Sequence, residues 1–147
     1  MDAPTITFEI PGQPVPQPRP RISTWGGRGR AYTPAHHPIH AYRQAVQLVA
    51  KSAAAGRTLI DGPVALVVEC VFGRPPSHLT KAGTLTKNAP AIPPKCDWDN
   101  LGKGVCDAIT DAGNVWVDDE LVVDGRVVKR YAEPGEAPRT RVSIRRL

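Results

Sequence analysis

Residues 95–123 read KCDWDNLGKGVCDAITDAGNVWVDDELVV, and the period of their apolar residues changes part-way along. Leu101, Val105, Ala108, Ile109 and Ala112 fall at the spacing of one helical face. They predict a helix capped by Asp99 or Asn100, running through Asp111 and ended by Gly113, since glycine enters the left-handed conformation of a helix stop without steric cost. Val115 to Val117 then predicts the start of a strand, and residues 120–131 continue as sheet.

The rest of the chain supplies partners for that unit. Residues 5–10 alternate, with Ile6, Phe8 and Ile10 on one side, as in a half-buried strand. Residues 64–72 (VALVVECVF) are almost continuously apolar, as a central strand is. Residues 139–146 alternate again, with Val142 and Ile144 inward. A second helix is expected to start near Pro34 or Pro38 and end before Gly56, with Tyr42, Ala45, Val46, Val49 and Ala53 as its apolar stripe. Asp124-Gly125 is a hairpin signal, but its arms would be about three residues each, so one long strand with a bulge is expected. The hairpin turn is then expected at residues 133–138 (EPGEAP). These elements predict an α+β fold, a small mixed sheet packed with two main helices. The 147 residues suffice for a single domain with an ordinary core.

Two long segments look irregular. Residues 11–33 are rich in proline and arginine and contain no acid. Their Arg19, Arg21, Arg28 and Arg30, interleaved with Trp25 and Tyr32, offer phosphate contacts and stacking faces together, as an extended nucleic-acid-binding arm does. A flexible connector is the plainer alternative. Residues 73–96 hold five prolines and four basic residues, Arg74, Lys81, Lys87 and Lys95, again without acid. Loops of that length are usually functional or disordered, and a DNA-facing flap is expected.

Charge is separated along the chain. Residues 97–124 carry eight of the fourteen acidic side chains against a single lysine, Lys103, while the remaining 119 residues carry eighteen basic against six acidic. A basic surface attracts a polyanion and a carboxylate cluster attracts hard divalent cations, so the pair points to metal-dependent chemistry on nucleic acid. An acidic helix on a basic domain would give the same distribution. Asp97 and Asp99 flank Trp98, and on extended backbone their side chains would share one side. The helix rises about 20 Å, and a strand returning from Gly113 needs roughly six residues to come back, which is where Asp118 and Asp119 stand. Lys103 lies one turn after Asp99 on the same face. Asp107 and Asp111 read as solvated or structural.

Other chemistries fit poorly. A calcium-binding EF-hand would need a liganding oxygen at Leu101 and a glutamate at Ala108. Cys70, Cys96 and Cys106 are odd in number and too widely spaced for a zinc knuckle, and Pro38 separates His36 from His40. No apolar run is long enough for a membrane helix, and MDAPTITFEI has neither a basic start nor an apolar signal core, so a cytoplasmic location with no membrane partner is expected.

Residues 95–123 resemble the signature of RusA-type Holliday junction resolvases, a family common in phages and prophages. The family pattern is D-x-D-N-L-x-K, a short helix with D-A-hydrophobic, then W-x-D-D-x-Q-V-V. Asp97, Asp99, Asn100, Leu101, Lys103, Asp107, Trp116, Asp118, Asp119, Val122 and Val123 match it. PVPQPRPR and GRAYTP in the arm are also similar to family motifs. The resemblance implies a homodimeric endodeoxyribonuclease that resolves four-way DNA junctions by paired nicks, leaving 5′-phosphate and 3′-hydroxyl ends. It further implies that Asp97, Asp99 and Asp119, with Asp118 as the fallback, bind Mg²⁺ or Mn²⁺, and that Lys103 is catalytic. Arg19, Arg21, Arg28, Arg30, Lys81, Lys87 and Lys95 would hold the DNA. Leu121 departs from the pattern, standing where the family usually has glutamine. A catalytically silent junction-binding relative, or a nuclease acting on flaps and other branched DNA, stays open beside the resolvase.

Overall fold

A computed structural model describes residues 5–93 and 96–147. Its strands are β1 (Thr5–Pro11), β2 (Arg21–Ser23), β3 (Arg30–Tyr32), β4 (Val64–Phe72), β5 (Val122–Tyr131) and β6 (Arg139–Arg146). Its helices are α1 (Ile39–Ala53) and α2 (Trp98–Ala112), with single 3-10 turns at Trp25–Gly27, Pro76–His78 and Asp119–Leu121. The main sheet has the order β1-β6-β4-β5. β6 runs antiparallel to both β1 and β4, while β4 and β5 are parallel. The fold is therefore α+β with a mixed sheet, as the alternating and continuous apolar stretches predict.

Alternation decides which sheet face is covered. Ile6, Phe8 and Ile10 of β1, Leu66, Val68 and Cys70 of β4, and Val142 and Ile144 of β6 share one core with Ile39, Tyr42 and Val46 of α1 and Leu101, Val105 and Ile109 of α2. The opposite face is open, which leaves Val67 in the middle of the central strand 40% exposed. Tyr42 Oη and Thr140 Oγ1, 2.7 Å apart, satisfy each other where α1 crosses β6, so Thr140 is buried without cost.

A parallel pair needs a long crossover, and α2 supplies it between β4 and β5. The helix ends at Gly113, whose φ of +82° is the left-handed C-cap expected there. Its N-cap is Asp97 rather than Asp99 or Asn100, because the first turn closes two residues before Asp99, with Asn100 N donating to Asp97 O. α2 sits very close to β5. A Cβ built on Gly102 would lie 2.7 Å from Val127 Cγ2, and one on Gly104 would meet Gln17 and Ile39. The chain's own packing therefore explains Gly102, whereas a Cβ at Gly104 would make only ordinary van der Waals contact.

Three expected elements come out differently. Residues 115–117 form only a bridge, with Ile60 N donating to Val115 O and Val117 N to Ile60 O. The Pro/Arg-rich arm is not wholly irregular, since β2 and β3 pair as a small separate ribbon. The turn at residues 133–138 does not close a hairpin, because β6 inserts on the far side of β4. Glu136 holds that turn in place. Its two carboxylate oxygens accept from Arg130 Nη1 and Nη2 at 2.6 and 2.9 Å, and Arg139 approaches from the other side at 3.1 Å. The long β5 is observed as expected, with a register shift against Val64 and Ala65 that leaves Val123 as the extra residue.

The Gly102 contact is testable by a double-mutant cycle. Gly102→Ala gains up to about 1 kcal/mol of helix propensity but overpacks against Val127, at about 1–3 kcal/mol. Urea unfolding should show a net loss of about 1 kcal/mol, and the same substitution should be neutral or stabilising in a Val127→Ala background. The Glu136 clamp gives a pH test. The hydrogen bond from Arg130, chiefly, depresses the Glu136 carboxyl from 4.5 to about 2. Its stabilising effect is thus fully present above the unfolded value and is lost as pH falls through about 2. Glu136→Gln should flatten stability measured by thermal melts across that interval.

Candidate active site

The start of α2 carries the acidic motif. Asp97 has extended backbone (φ −69°, ψ 127°) and its side chain makes no capping bond, whereas Trp98 and Asp99 are already helical. The two carboxylates thus do not alternate along a strand; they leave successive corners of a helix N-terminus. Asp99 Oδ1 accepts from Asn100 N at 3.0 Å, and both aspartates are exposed. Lys103 is exposed on the next turn, and no ion pair joins it to Asp99 or to any other described residue.

Asp97 opens onto a cleft of about 550 Å³ that also receives Gln17, Arg19, Cys96, Asn100 and Lys129. The arm is pinned here by Gln17 N donating to Asn100 O at 3.0 Å, and the Gln17 side chain crosses the helix beside Gly104. Lys129 Nζ donates to Cys96 O at 2.8 Å, fixing an ammonium beside Asp97. Arm arginine, helix-start carboxylate and β5 lysine are therefore brought together by the fold. The cleft also faces the N-terminal end of α2, where the positive end of the helix dipole favours a phosphate.

Asp118 and Asp119 stand at the turn between α2 and β5. Asp118 Oδ1 accepts from Asp119 N at 2.7 Å, capping the short turn that leads into β5. The carboxyl of Asp119 is raised above the usual aspartate value, first by partial desolvation and then by its hydrogen bond to Asp118 and the charges of Asp118 and Asp107. Its acidic neighbours therefore include Asp107, in the middle of α2. Residues 113–118 turn over Ile60 on the way to β5. Among the described residues, no three His, Cys, Asp or Glu side chains converge to hold a metal ion.

Several residues escaped the reading of the sequence. Asp107 belongs with Asp119, and its position eight residues after Asp99 and four after Lys103 already places it on their face. Lys129 and Gln17 had no local signal, since only long-range packing brings them to α2. Asp111 is structural, as expected, accepting from Arg43 Nη2 at 2.8 Å between the helices. Leu121, at the departure from the family pattern, packs partly buried against the core. Burial and the charges of Asp119 and Asp107 push the Cys106 thiol up to about 12, and burial pushes Cys70 up to about 12, so neither thiol is nucleophilic at neutral pH.

The basic segments divide into free and committed cations. Arg28 and Arg30 line a hollow of about 510 Å³ with Trp25 and Tyr32, and Trp25 is 92% exposed at the tip of the β2–β3 ribbon. Arg19, Arg21, Arg28 and Arg30 have no ion-pair partner among the described residues, and neither do Lys81 and Lys87. Arg74 is different. It donates to Pro90 O at 2.7 Å and lies 4.3 Å from the centre of the Tyr131 ring, which His78 also contacts edge-on. The long loop is thereby tied to the end of β5, with a small turn, Thr80 N donating to Thr84 O, presenting Lys81. Lys95 lies outside the described residues. No described helix is long and apolar enough to cross a membrane.

Residues 11–145 match the family described as Endodeoxyribonuclease RusA. The chain belongs to that family. It is 36% identical over 143 residues to an uncharacterized protein, YqaN, of Bacillus subtilis (strain 168), covering 95% of each chain. Over 46 residues it is 54% identical to the crossover junction endodeoxyribonuclease RusA of Escherichia coli O139:H28 (strain E24377A / ETEC), which covers 30% of this chain and 38% of that protein. The RusA match runs from the arm through β6, so arm, α2 and sheet are parts of one family fold.

The raised carboxyl of Asp119 provides the test of this geometry. A carboxyl raised in the folded state favours folding most below its ordinary value of 3.8, and that advantage is lost as pH rises through the folded value. Asp118→Asn removes the main interacting charge, and carboxyl ¹³C NMR titration should show Asp119 falling toward the ordinary value. Asp97→Asn should leave it unmoved.

Proposed function

We propose that this RusA-family protein is a metal-dependent, structure-selective endodeoxyribonuclease. It resolves four-way DNA junctions by paired symmetric nicks that leave 5′-phosphate and 3′-hydroxyl ends. It works as a homodimer in the cytoplasm, a host's cytoplasm if a phage encodes it. The observation that carries the reading is the cleft where Arg19, Asp97, Asn100 and Lys129 meet at the N-terminus of α2, in a chain that matches an endodeoxyribonuclease family over most of its length. A two-fold junction suits a two-fold dimer, because two equivalent sites make symmetry-related cuts.

The donor chemistry fits Mg²⁺ or Mn²⁺. Asp97 and Asp99 are exposed oxygen ligands free of cationic partners among the described residues, and Asp119 sits among like charges that a cation would relieve. Asp97, Asp99 and Asp119, with Asp118 as the alternative third ligand, would hold the ion, which requires the 118–119 turn to draw in toward the start of α2, since the three do not converge among the described residues. Bound there, it would lower the pKa of water and stabilise charge on the scissile phosphate. The chain's own groups do the rest. The amides at the start of α2 orient a phosphate oxygen, and the Lys103 ammonium neutralises negative charge that builds on the phosphate or the leaving oxygen. Arg19, Arg21, Arg28, Arg30, Lys81, Lys87 and Lys95 hold the junction arms through phosphates, with Trp25 and Tyr32 as stacking faces.

The second reading, a silent junction-binding relative, has one specific support: Leu121 packs, partly buried, against the core where the family pattern has a glutamine. Cleavage of a labelled mobile junction and of matched linear and flap DNA, with Mg²⁺, Mn²⁺ or EDTA, separates the readings. Paired nicks confined to the junction are expected, abolished by EDTA and by Asp99→Asn, and reduced about 10²-fold or more by Lys103→Ala. Junction binding without product in either metal identifies the silent relative. Comparable cutting of flaps or linear DNA identifies a nuclease of broader taste.

A further inference from the structure

β5 is hydrogen-bonded to β4 on one side only; its other side is the free edge of the sheet. Residues 122–128 on that edge read Val-Val-Asp-Gly-Arg-Val-Val. Reversed, the stretch keeps its pattern except that acid and base exchange places about Gly125. Such a segment is complementary to itself when run antiparallel. The registers Ala65 to Asp124 and Val67 to Arg126 put both charged side chains on the same, open face of the sheet. Neither Asp124 nor Arg126 has a hydrogen bond or ion pair with another described residue.

We propose that two copies of this chain dimerise by antiparallel pairing of their β5 edges about Gly125. That sets Asp124 against the partner's Arg126, and by symmetry Arg126 against the partner's Asp124. Opposite charges directly across a strand pair stabilise it, and like charges destabilise it. Centring the pair on Asp124 or Arg126 instead would set like charges against each other, so the charges select one register.

Apolar surface agrees with that register. Val123 is 66% exposed and Trp98 is 58% exposed. Trp98 forms one wall of a groove of about 540 Å³ whose other wall is β5 from Gly125 to Lys129. Pairing about Gly125 lays Val123 of one chain opposite the partner's Val127, inside that groove and beside the partner's Trp98. Between Val122 and Val128 there is no proline or lysine, residues that commonly keep an edge strand from pairing, and the bulge at Val123 confines the regular part of the edge to Asp124 and beyond. The inference rests on the homodimer proposed above and specifies its interface; it does not depend on the nuclease chemistry.

Sedimentation equilibrium of the full chain, D124R, R126D and the double variant D124R/R126D tests it, with circular dichroism confirming that each is folded. The wild type should be dimeric. Each single reversal turns two attractions into two repulsions and should weaken the dimer about tenfold or more, and the double reversal should restore it. Equal dimerisation of all four, or failure of the double variant to recover, overturns this interface while leaving the homodimer standing. A monomeric wild type overturns both. Amide hydrogen exchange on the unmodified protein needs no variant to fold. Protection in residues 123–127 should rise with protein concentration, and its failure to rise in a dimeric sample places the interface elsewhere.

Discussion

The contact between Gly102 and Val127 governs the rest of the structure, because it decides how close α2 comes to the sheet. A Cβ at position 102 would stand 2.7 Å from Val127 Cγ2, so the helix reaches this depth only with glycine there. On the adjoining side the arm passes Gln17 across the helix near Gly104, where a Cβ would make only ordinary contact. Both glycines weaken an isolated helix by up to about 1 kcal/mol each, and burial of Leu101, Val105, Ala108 and Ile109 offsets that cost. Since α2 is the crossover between parallel strands, its N-terminus falls at their C-terminal ends, beside Lys129 and Cys96. Open α/β units commonly bind ligands in that place, where strand ends leave a crevice and a helix start offers amides. The acidic motif is therefore attached to the one helix whose position the sheet dictates most tightly.

Charge is sorted by the same packing. Glutamates 9, 69 and 136 lie among Arg130, Arg139 and Arg141 around one end of the sheet, and the ion pairs there are internal. Partly exposed pairs of this kind contribute little stability singly, but the forked bond between Arg130 and Glu136 carries geometric specificity and sets where β5 stops. The arm has the opposite arrangement: arginines without acidic partners, next to exposed aromatic rings. A cation already paired has little left to offer a phosphate. The arm cations are thus the ones whose charge remains to be neutralised by something outside the chain.

What the sequence disclosed followed the range of the forces involved. β1, β4 and β6 were legible because alternation and continuous apolarity are local records of which faces are buried, and α2 was legible from its stripe and Gly113. The order of the sheet was not. Whether β6 pairs with β5 or passes beyond β4 depends on contacts between residues far apart, and EPGEAP looks like a hairpin turn in either case. The β2–β3 ribbon was hidden by the prolines around it, since three-residue strands leave no periodicity. At the site, Asp97, Asp99 and Lys103 were visible as a motif on one helix. Lys129 was invisible because it reaches Cys96 only through the parallel β4–β5 register. Asp107, read as solvated or structural, also adds charge at Asp119, a companion that arrives from beyond a turn whose length no pattern encodes.

That turn bears on how the acidic residues function together. The carboxyl of Asp119 is raised first by partial desolvation and then by its hydrogen bond to Asp118 and by repulsion from Asp118 and Asp107. Natural sequences keep unfavourable local arrangements mainly where another demand opposes stability. Salt bridges could have relieved this one, as they do at Glu136 and Asp111, and the chain has nineteen basic residues with which to do so. Among the described residues none is placed there. Lys103, the single base of the acidic stretch, is held exposed on the helix face and unpaired. The unbalanced negative charge at α2 and the unbalanced positive charge on the arm therefore share a physical logic. Each is left unsatisfied by the fold, the first open to a cation and the second to a polyanion, and the Gln17 to Asn100 bond keeps the two next to each other.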